Sequence, residues 1–240
     1  MRRRFFVNQF ATDTAVMEGE AAHHLGRVLR AQQGQLYELS DGQQVRIGRI
    51  EKVARDRIEF ALLEEIPSHQ PALEVTLLLS VVKFDAFEWA IEKATELGVS
   101  AIVPLAAARS EKALLAAAGK RSERWKKILA EASQQSRRVR VPELQAVSQA
   151  QQAFAAQNPA AAKVMLSERS DTLALRQILQ IEPPRTQAVL AIGPEGGWTD
   201  AEFTSALAAS FHEASLGKLI LRTETAVAAA LASINYALTE

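Results

Sequence analysis

Three of the chain's 11 glycines lie within five positions of one another, in the sequence IGPEGGWTDAE. Gly193, Gly196 and Gly197 follow the apolar segment QAVLA, which is typical of a buried strand, and they precede a predicted helix. In α/β proteins, a glycine-rich turn between a strand and a helix exposes backbone amides to an anion or a nucleotide. The spacing matches neither GxGxxG nor GxxxxGK[ST], so the loop alone leaves a purely structural role open.

A second candidate loop follows the next predicted strand end, in the sequence SLGKLILRTETAVAAAL. Its apolar tripeptide, residues 219–221, is too short for another strand. Apolar side chains and backbone groups with little positive charge favour a flat adenine joined to a thioether over a triphosphate. A structural alternative makes the tripeptide a core connection and pairs Arg222 with Glu195 or Glu224. The ligand-binding interpretation of this loop and the structural alternative are compatible with each other.

The charged residues balance overall, with 28 Lys and Arg against 28 Asp and Glu, but their distribution is uneven. The segment 109–140 holds ten basic and three acidic residues, although a solvated helix face would explain one such run. Residues 2–4 are all arginine, and helical spacing predicts His23, Arg27 and Arg30 on one face. Two separated basic clusters favour a phosphate backbone as a partner.

The composition excludes several classes of protein. The chain has no cysteine, which removes disulfide scaffolds, cysteine-ligated zinc, iron–sulfur clusters and thiol catalysis, and we expect no metal. With 48% hydrophobic and 23% charged residues, the composition is that of a folded globule. The start MRRRFFVNQF lacks the apolar stretch of a signal peptide, and no later segment has the length of a membrane span. A cytoplasmic protein without membrane contact is therefore expected.

The elements that must position these loops divide into two groups. Up to about residue 66 the chain is β-rich, since VRIGRIEKV and DRIEFALLEEI alternate apolar and polar residues. Asp41-Gly42 predicts a tight turn between strands, and only residues 21–29 have a helical pattern. A small barrel with one helix fits this pattern. The segment PSHQPA predicts a boundary between domains at 1–68 and 73–240.

Beyond this boundary, strands alternate with helices, which predicts an α/β fold with a mostly parallel sheet. The predicted strands are EVTLLLSVV, VSAIVPL, KVMLS, QAVLAIG and HEASL, and the predicted helices cover 85–97, 121–136, 171–180, 199–209 and 223–238. Capping boxes are predicted at Asp85 with Glu88 and at Thr199 with Glu202, with Gly98 as a helix stop. The Ala-rich stretches ALLAAAGK and QAQQAFAAQNPAAAK are predicted as surface helices or loops without function.

The segments GPEGGWTDAE and LGKLILRTETA together resemble the C-terminal signature of the SPOUT-class RNA methyltransferases, which carry a trefoil knot. Within that class, the sequence is similar to the ribosomal small-subunit RNA uridine-N3 methyltransferases. The segments KFDAFEWAIEKATELGVSAIVPL, RWKKILAEASQQSRRVRVP, RRRFFV, AHHLGRVLR and GQLYELSDG match in order and spacing, so the resemblance covers nearly the whole chain. The chain departs from the family at Gln134, where Glu is frequent, at Arg137, where Gly is frequent, and before Arg109, where a polar residue is frequent.

The resemblance implies a PUA-like β-barrel for RNA, followed by a knotted, mostly parallel sheet with flanking helices. It implies S-adenosyl-L-methionine as methyl donor, a homodimer, and 16S ribosomal RNA (rRNA) within the assembled small subunit as substrate. The residues implied to line the cofactor are Leu166, Ser167, Ile192, Gly193, Glu195, Gly196, Gly197, Leu216, Gly217, Leu219, Ile220, Leu221 and Thr223.

Methyl transfer to uridine N3 requires loss of the N3 proton, by a base or with cations that stabilise the uridinate. The candidates are Arg222 at the reacting centre, Arg138 and Arg109 as further cations, and Glu195 as a weak base. The candidate RNA-binding residues are Arg2, Arg3, Arg4, His23, His24, Arg27, Arg30, Lys83, Arg109, Arg137, Arg138 and Arg140. Two alternatives stay open: an RNA-binding protein that has lost its cofactor, and a methyltransferase for another RNA or for a ribose 2′-hydroxyl.

Overall fold

The computed structural model describes residues 3–68, 73–184 and 186–238. The chain forms two compact units, one of Met1–Gln70 with Ser133–Val141 and one of Pro71–Ala132 with Pro142–Glu240. Residues 133–141 therefore pack with the first unit, although the sequence-based division assigned them to the second domain. Arg2 and residues 69–72 of the predicted linker lie outside the described residues.

The first unit is built on a five-stranded, largely antiparallel sheet. Its strands are β1 (Arg4–Phe6), β2 (Thr14–Glu18), β3 (Leu36–Ser40), β4 (Val45–Val53) and β5 (Arg57–Ile66). They lie in the order β1-β3-β4-β5-β2, and only the β1–β3 pair is parallel. The core side chains come from alternating positions of these strands, among them Ile50, Ile58 and Phe60.

The predicted turn at Asp41-Gly42 is confirmed between β3 and β4. Gly42 has a φ of +89°, and the Asp41 carboxylate accepts hydrogen bonds from the amides of Gln43 and Gln44. On β4, a side chain at Gly48 would collide with the Leu39 side chain of β3, so the sheet leaves no room for one. The apolar residues that alternate with polar ones in the sequence thus lie on the face of the sheet that packs inward.

The predicted helix at 21–29 is only partly confirmed. α1 covers Gly19–His23 and continues as one π-helical turn over His24–Val28. Arg30 follows with a φ of +52°, outside the helix. The prediction that His23, Arg27 and Arg30 share one helix face is therefore wrong, because the helical period changes and then ends before Arg30.

The second unit contains a seven-stranded parallel sheet with flanking helices, as predicted. Its first half comprises β6 (Glu74–Ser80), α2 (Phe84–Glu96), β7 (Ala101–Ala106), α3 (Lys112–Gln135), β8 (Glu143–Leu144), β9 (Ser148–Gln149) and α4 (Ala150–Ala155). Its second half comprises β10 (Ala162–Leu166), α5 (Leu175–Ile181), β11 (Gln187–Ile192), α6 (Asp200–Ala208), β12 (His212–Ala214) and α7 (Thr223–Leu238). The strand order is β12-β10-β11-β6-β7-β8, and β9 also pairs with β7.

Continuous apolar runs form the central strands because helices cover both faces of the sheet. Leu77, Leu78 and Leu79 of β6 are fully buried, as is Leu190 of β11. In the part of the chain that the structure describes, no helix has the length and apolarity needed to cross a membrane.

Helix starts differ most from the predictions. α3 begins at Lys112 rather than Arg121, so ALLAAAGK forms its first turns, and α5 begins four residues later than predicted. The capping box at Thr199 and Glu202 is confirmed, and Gly98 ends α2 with a φ of +94°. The capping box at Asp85 and Glu88 is wrong, because the buried Glu88 carboxylate instead accepts from Arg124 Nε at 2.7 and 2.8 Å.

Candidate active site

Loops from three neighbouring strands meet at the carboxyl edge of the parallel sheet. β10 lies between β12 and β11, and the three strands end at Ala214, Leu166 and Ile192. We call residues 193–198 the glycine loop and residues 215–222 the apolar loop. In open α/β sheets this edge is where ligands bind, because the loops there are free to carry them.

The glycine loop is held in a fixed turn. Gly197 has a φ of +68°, and its amide donates to the Pro194 carbonyl at 2.8 Å. Trp198 is buried, and its Nε1 donates to the Leu166 carbonyl at 3.0 Å, which joins the ends of β11 and β10. A side chain at Gly193 would lie 3.1 Å from the Trp198 ring, so this position has little space for more than hydrogen.

The apolar loop exposes the side chains expected of a ligand surface rather than of a core connection. Leu219 is 82% exposed and Ile220 is 79% exposed. The amides of residues 219–221 donate to no group of the described chain. At the end of the loop, the buried Thr223 donates through Oγ1 to the Gly193 carbonyl at 3.2 Å, which ties the apolar loop to the glycine loop.

The structure therefore brings the predicted cofactor-lining residues of the second unit to one sheet edge. Leu166 and Ile192 are buried strand ends, whereas Glu195, Gly196 and Gly217 are exposed on the loops. The remaining members of this group lie on the same two loops, at the end of β10 or at the start of α7, namely Ser167, Gly193, Gly197, Leu216, Leu219, Ile220, Leu221 and Thr223.

Arg222, the candidate at the reacting centre, is exposed at the end of the apolar loop. Within the described residues it forms no ion pair with Glu195 or Glu224, so the pairing alternative is wrong. Glu195 is exposed on the glycine loop. Arg138, the other candidate cation, belongs to the first unit.

Arg109 contacts the glycine loop, which the sequence did not indicate. Its Nη1 donates to the Gly196 carbonyl at 2.7 Å and to the Trp198 carbonyl at 3.2 Å. Next to it, the Ala108 amide donates to the buried Glu202 carboxylate at 2.9 Å, and Glu202 also caps α6. Nη1 of the exposed Arg109 is therefore engaged within the protein, and the RNA contact predicted for this residue stays a prediction.

The predicted basic cluster at the N-terminus is only partly exposed. Arg3 is exposed, but Arg4 is buried and donates to the Glu38 carboxylate through Nε at 3.1 Å and Nη2 at 2.9 Å. Arg4 also donates to the Arg137 carbonyl, and Arg137 donates to Glu38 at 3.0 Å. The RNA-binding prediction for Arg4 is therefore wrong, because its charge is neutralised inside the first unit.

Arg137 has a further constraint, because it ends α3 in the left-handed conformation with a φ of +57°. The Arg138 amide donates to the Ser133 carbonyl at 3.0 Å, which is the hydrogen bond of a Schellman cap. Glycine is favoured at such a position because it adopts the left-handed conformation without strain. Glycine is also the residue that is frequent at this position in the family that the sequence resembles. Arg137 instead combines the cap with its ion pair to Glu38.

The other predicted RNA-binding residues are mostly at the surface. Arg140 is exposed and Arg138 is partly buried, and burial lowers the pKa of the Arg138 guanidinium to about 10, with the charge of Arg140 acting in the same direction. Arg138 therefore remains cationic at neutral pH. His24, Arg27, Arg30 and Lys83 are exposed, and His23 is partly buried.

Sequence reasoning missed Trp198, Glu202 and Glu38, which hold these surfaces in place. Trp198 could have been found, because a large aromatic directly after two glycines needs a packing site near the turn. Glu202 was predicted as a cap, but its second bond, to the Ala108 amide, joins positions 94 residues apart in the chain. Glu38 gave no signal beyond being an acidic residue in a strand.

A parallel sheet with a glycine turn and an exposed apolar loop at its carboxyl edge defines an α/β ligand-binding domain. The model of the RNA methyltransferase domain family matches residues 69–235, and the chain belongs to that family.

Two similar proteins, both named ribosomal RNA small subunit methyltransferase E, come from Synechocystis and Bacillus subtilis. The first is 35% identical over 95% of this chain and 74% of its own length. The second is 33% identical over 93% of this chain and 90% of its own length.

Two similar solved structures contain bound S-adenosylmethionine. One is ribosomal RNA small subunit methyltransferase E from Neisseria gonorrhoeae, with a TM-score of 0.89 and 30% identity over 99% of this chain and 98% of that one. The other is a methyltransferase from Legionella pneumophila, with a TM-score of 0.87 and 28% identity over the same shares.

Proposed function

We propose that this protein transfers a methyl group from S-adenosylmethionine to N3 of a uridine in 16S rRNA, acting on the assembled small subunit in the cytoplasm. Membership of the RNA methyltransferase family supports the reaction class. The observation that carries the proposal is the pair of loops joined by Thr223 and Gly193, because this arrangement offers one binding surface at the sheet edge.

The chemistry of this surface fits S-adenosylmethionine. The exposed Leu219 and Ile220 offer an apolar face to a flat base. The amides of residues 219–221, which donate to no group of the described chain, can donate to ring nitrogens and to a carboxylate. Few cations accompany them, which disfavours a triphosphate. The cofactor, when bound, supplies an electrophilic methyl group. The residues of the two loops would hold it mainly through backbone groups.

The protein's own part of the reaction is to orient the uracil and to stabilise its anion. The N3 proton must leave before N3 attacks, and the negative charge then spreads over the uracil oxygens. Arg222 can stabilise this charge because it lies exposed one residue before the anchored Thr223. Glu195 is the base candidate on the glycine loop, and Arg138 is a further candidate cation. Orientation of the base against the methyl group contributes to the rate as well.

The finer features of the fold are also proposals. A trefoil knot is supported by the path of the chain after β12. The Ser215 amide donates to the carbonyl of residue 173, and the Ser215 carbonyl accepts from the amide of residue 175. The chain then reaches the end of β11, where α7 begins. A PUA-like fold is supported by the mostly antiparallel sheet of the first unit. The homodimer rests on the resemblance, and light scattering on the purified protein tests it.

The test is a methylation assay on small subunits from a strain that lacks this gene, compared with free 16S rRNA from the same strain. Nucleoside mass spectrometry then identifies the product. We expect 3-methyluridine, about one per subunit, with subunits preferred over free rRNA. A ribose-methylated nucleoside would instead support the 2′-hydroxyl alternative. Absence of S-adenosylmethionine binding by titration calorimetry would support the RNA-binding alternative.

A further inference from the structure

Two adjacent residues of the loop between β7 and α3 form hydrogen bonds to α6 and to the glycine loop that precedes it. Ala108 donates its amide to the Glu202 side chain, and Arg109 donates its guanidinium to two carbonyls of the glycine loop. The glycine loop is otherwise short of side chains that could fix it, since its residues 193, 196 and 197 are glycines. A second loop therefore adds hydrogen bonds to those that the Gly197 amide and the Trp198 indole already make.

These bonds fix one peptide plane of the turn at both ends. The Gly196 carbonyl accepts from Arg109 Nη1 at 2.7 Å, and the Gly197 amide donates to the Pro194 carbonyl at 2.8 Å. Both groups belong to the planar peptide unit between Gly196 and Gly197, so this unit cannot rotate without breaking a hydrogen bond. The amides of Glu195 and Gly196, in the two peptide units that precede this plane, donate to no group of the described chain.

Packing supports the same contact. A side chain at Gly196 would lie 3.3 Å from Arg109 Cβ and 3.4 Å from its Cδ, so the Arg109 side chain lies directly against the backbone of the turn. The long aliphatic part of Arg109 covers the turn, and its charged end holds the carbonyls.

We propose that Arg109 is a positioning residue for S-adenosylmethionine, which sets the orientation of the glycine-loop amides and thereby the affinity for the cofactor. The proposal rests on the proposed function, since it assigns the glycine loop to this ligand. It replaces the phosphate-contact role that the basic segment suggested for this arginine.

A positioning role and a phosphate contact make opposite predictions for lysine at this position. A lysine keeps the positive charge that a phosphate needs, but it has no planar guanidinium to hold two carbonyls in fixed directions. Arg109→Lys should therefore weaken cofactor binding and leave RNA binding almost unchanged. Arg109→Met, which keeps most of the volume without any donor, should show the larger loss.

The experiment measures S-adenosylmethionine affinity by titration calorimetry, and RNA affinity as a function of salt, for both variants. The matched control is Arg176→Met, because Arg176 is an exposed arginine of α5 that has no ion pair or hydrogen bond in the described chain. We expect the Kd for the cofactor to rise about 10-fold in Arg109→Met, the lower end for a charge-assisted hydrogen bond. In steady-state assays, KM for the cofactor should rise while kcat stays within about twofold.

Two outcomes would overturn the proposal. One is an unchanged cofactor Kd in Arg109→Met. The other is a slope of log RNA affinity against log salt that falls by about 0.7–0.9 in Arg109→Met but not in Arg109→Lys or Arg176→Met. If Arg109→Met fails to fold, Arg109→Lys gives the test, because it keeps the charge and most of the side chain and should still weaken cofactor binding. Wild-type protein that binds no cofactor would instead contradict the proposed function itself.

Discussion

The substitution Gly193→Ala tests whether the packing of Trp198 sets the shape of the site. The new methyl carbon would lie 3.1 Å from Trp198 Cε2 and 3.2 Å from its Nε1. Contacts of this length are too short for carbon, so the indole must move by a few tenths of an ångström. The backbone itself tolerates alanine, because Gly193 does not have a positive φ.

The size of the effect follows from what surrounds the indole. Trp198 is buried, its ring lies 5.6 Å from that of Phe154, and its Nε1 donates to the Leu166 carbonyl. Added volume in such a packed region costs about 1–2 kcal/mol of unfolding free energy. For a chain of this length, that cost corresponds to a fall in Tm of about 2–8 °C. Because the displaced ring weakens the bond to Leu166, the Kd for S-adenosylmethionine should rise about 3- to 10-fold.

Thermal melting followed by circular dichroism and titration calorimetry measure the two effects. The matched control is Gly119→Ala in α3, where an added methyl group meets no atom within 4 Å. That variant should gain about 0.5–1 kcal/mol of stability, because alanine is the better helix former, and it should bind the cofactor normally. The reasoning would be refuted if Gly193→Ala melted like the wild type, or if it lost stability while binding the cofactor unchanged.

Three further predictions concern charged residues. Arg222→Ala should lower the single-turnover methylation rate on the order of 10²–10³-fold at saturating cofactor, with Tm and cofactor Kd nearly unchanged; a near-normal rate would remove Arg222 from the reacting centre. Glu38→Ala should cost about 3–5 kcal/mol in urea unfolding, because the buried Arg4 loses its carboxylate partner, and a loss below about 1 kcal/mol would contradict the buried pair. Replacing Arg138 and Arg140 by alanine should reduce the slope of log RNA affinity against log salt by about 0.7–0.9 per lost phosphate contact, and an unchanged slope would exclude both from the RNA surface.

Local sequence patterns determined most of the elements. The alternation in VRIGRIEKV and the apolar run EVTLLLS each produced a strand, because one face or both faces of the sheet are buried at those positions. The start of α6 followed from its capping box, whose partners are only three residues apart. The glycine loop and the apolar loop were also visible in the sequence, because glycines and short apolar runs next to strand ends are local features. The exposure of Leu219 and Ile220 was not visible there, since the same run could have formed a core connection.

Tertiary structure decided the roles of the arginines and glutamates. Arg4 and Arg109 are ordinary basic residues in the sequence, and nothing nearby shows that one pairs with Glu38 and the other bonds to Gly196, 87 residues away. Glu88 has the spacing of a capping residue, but its burial against α3 gives it to Arg124 instead. A long charged side chain can reach several partners, and only the packing of distant segments selects one, so its role cannot be read from its neighbours in the chain.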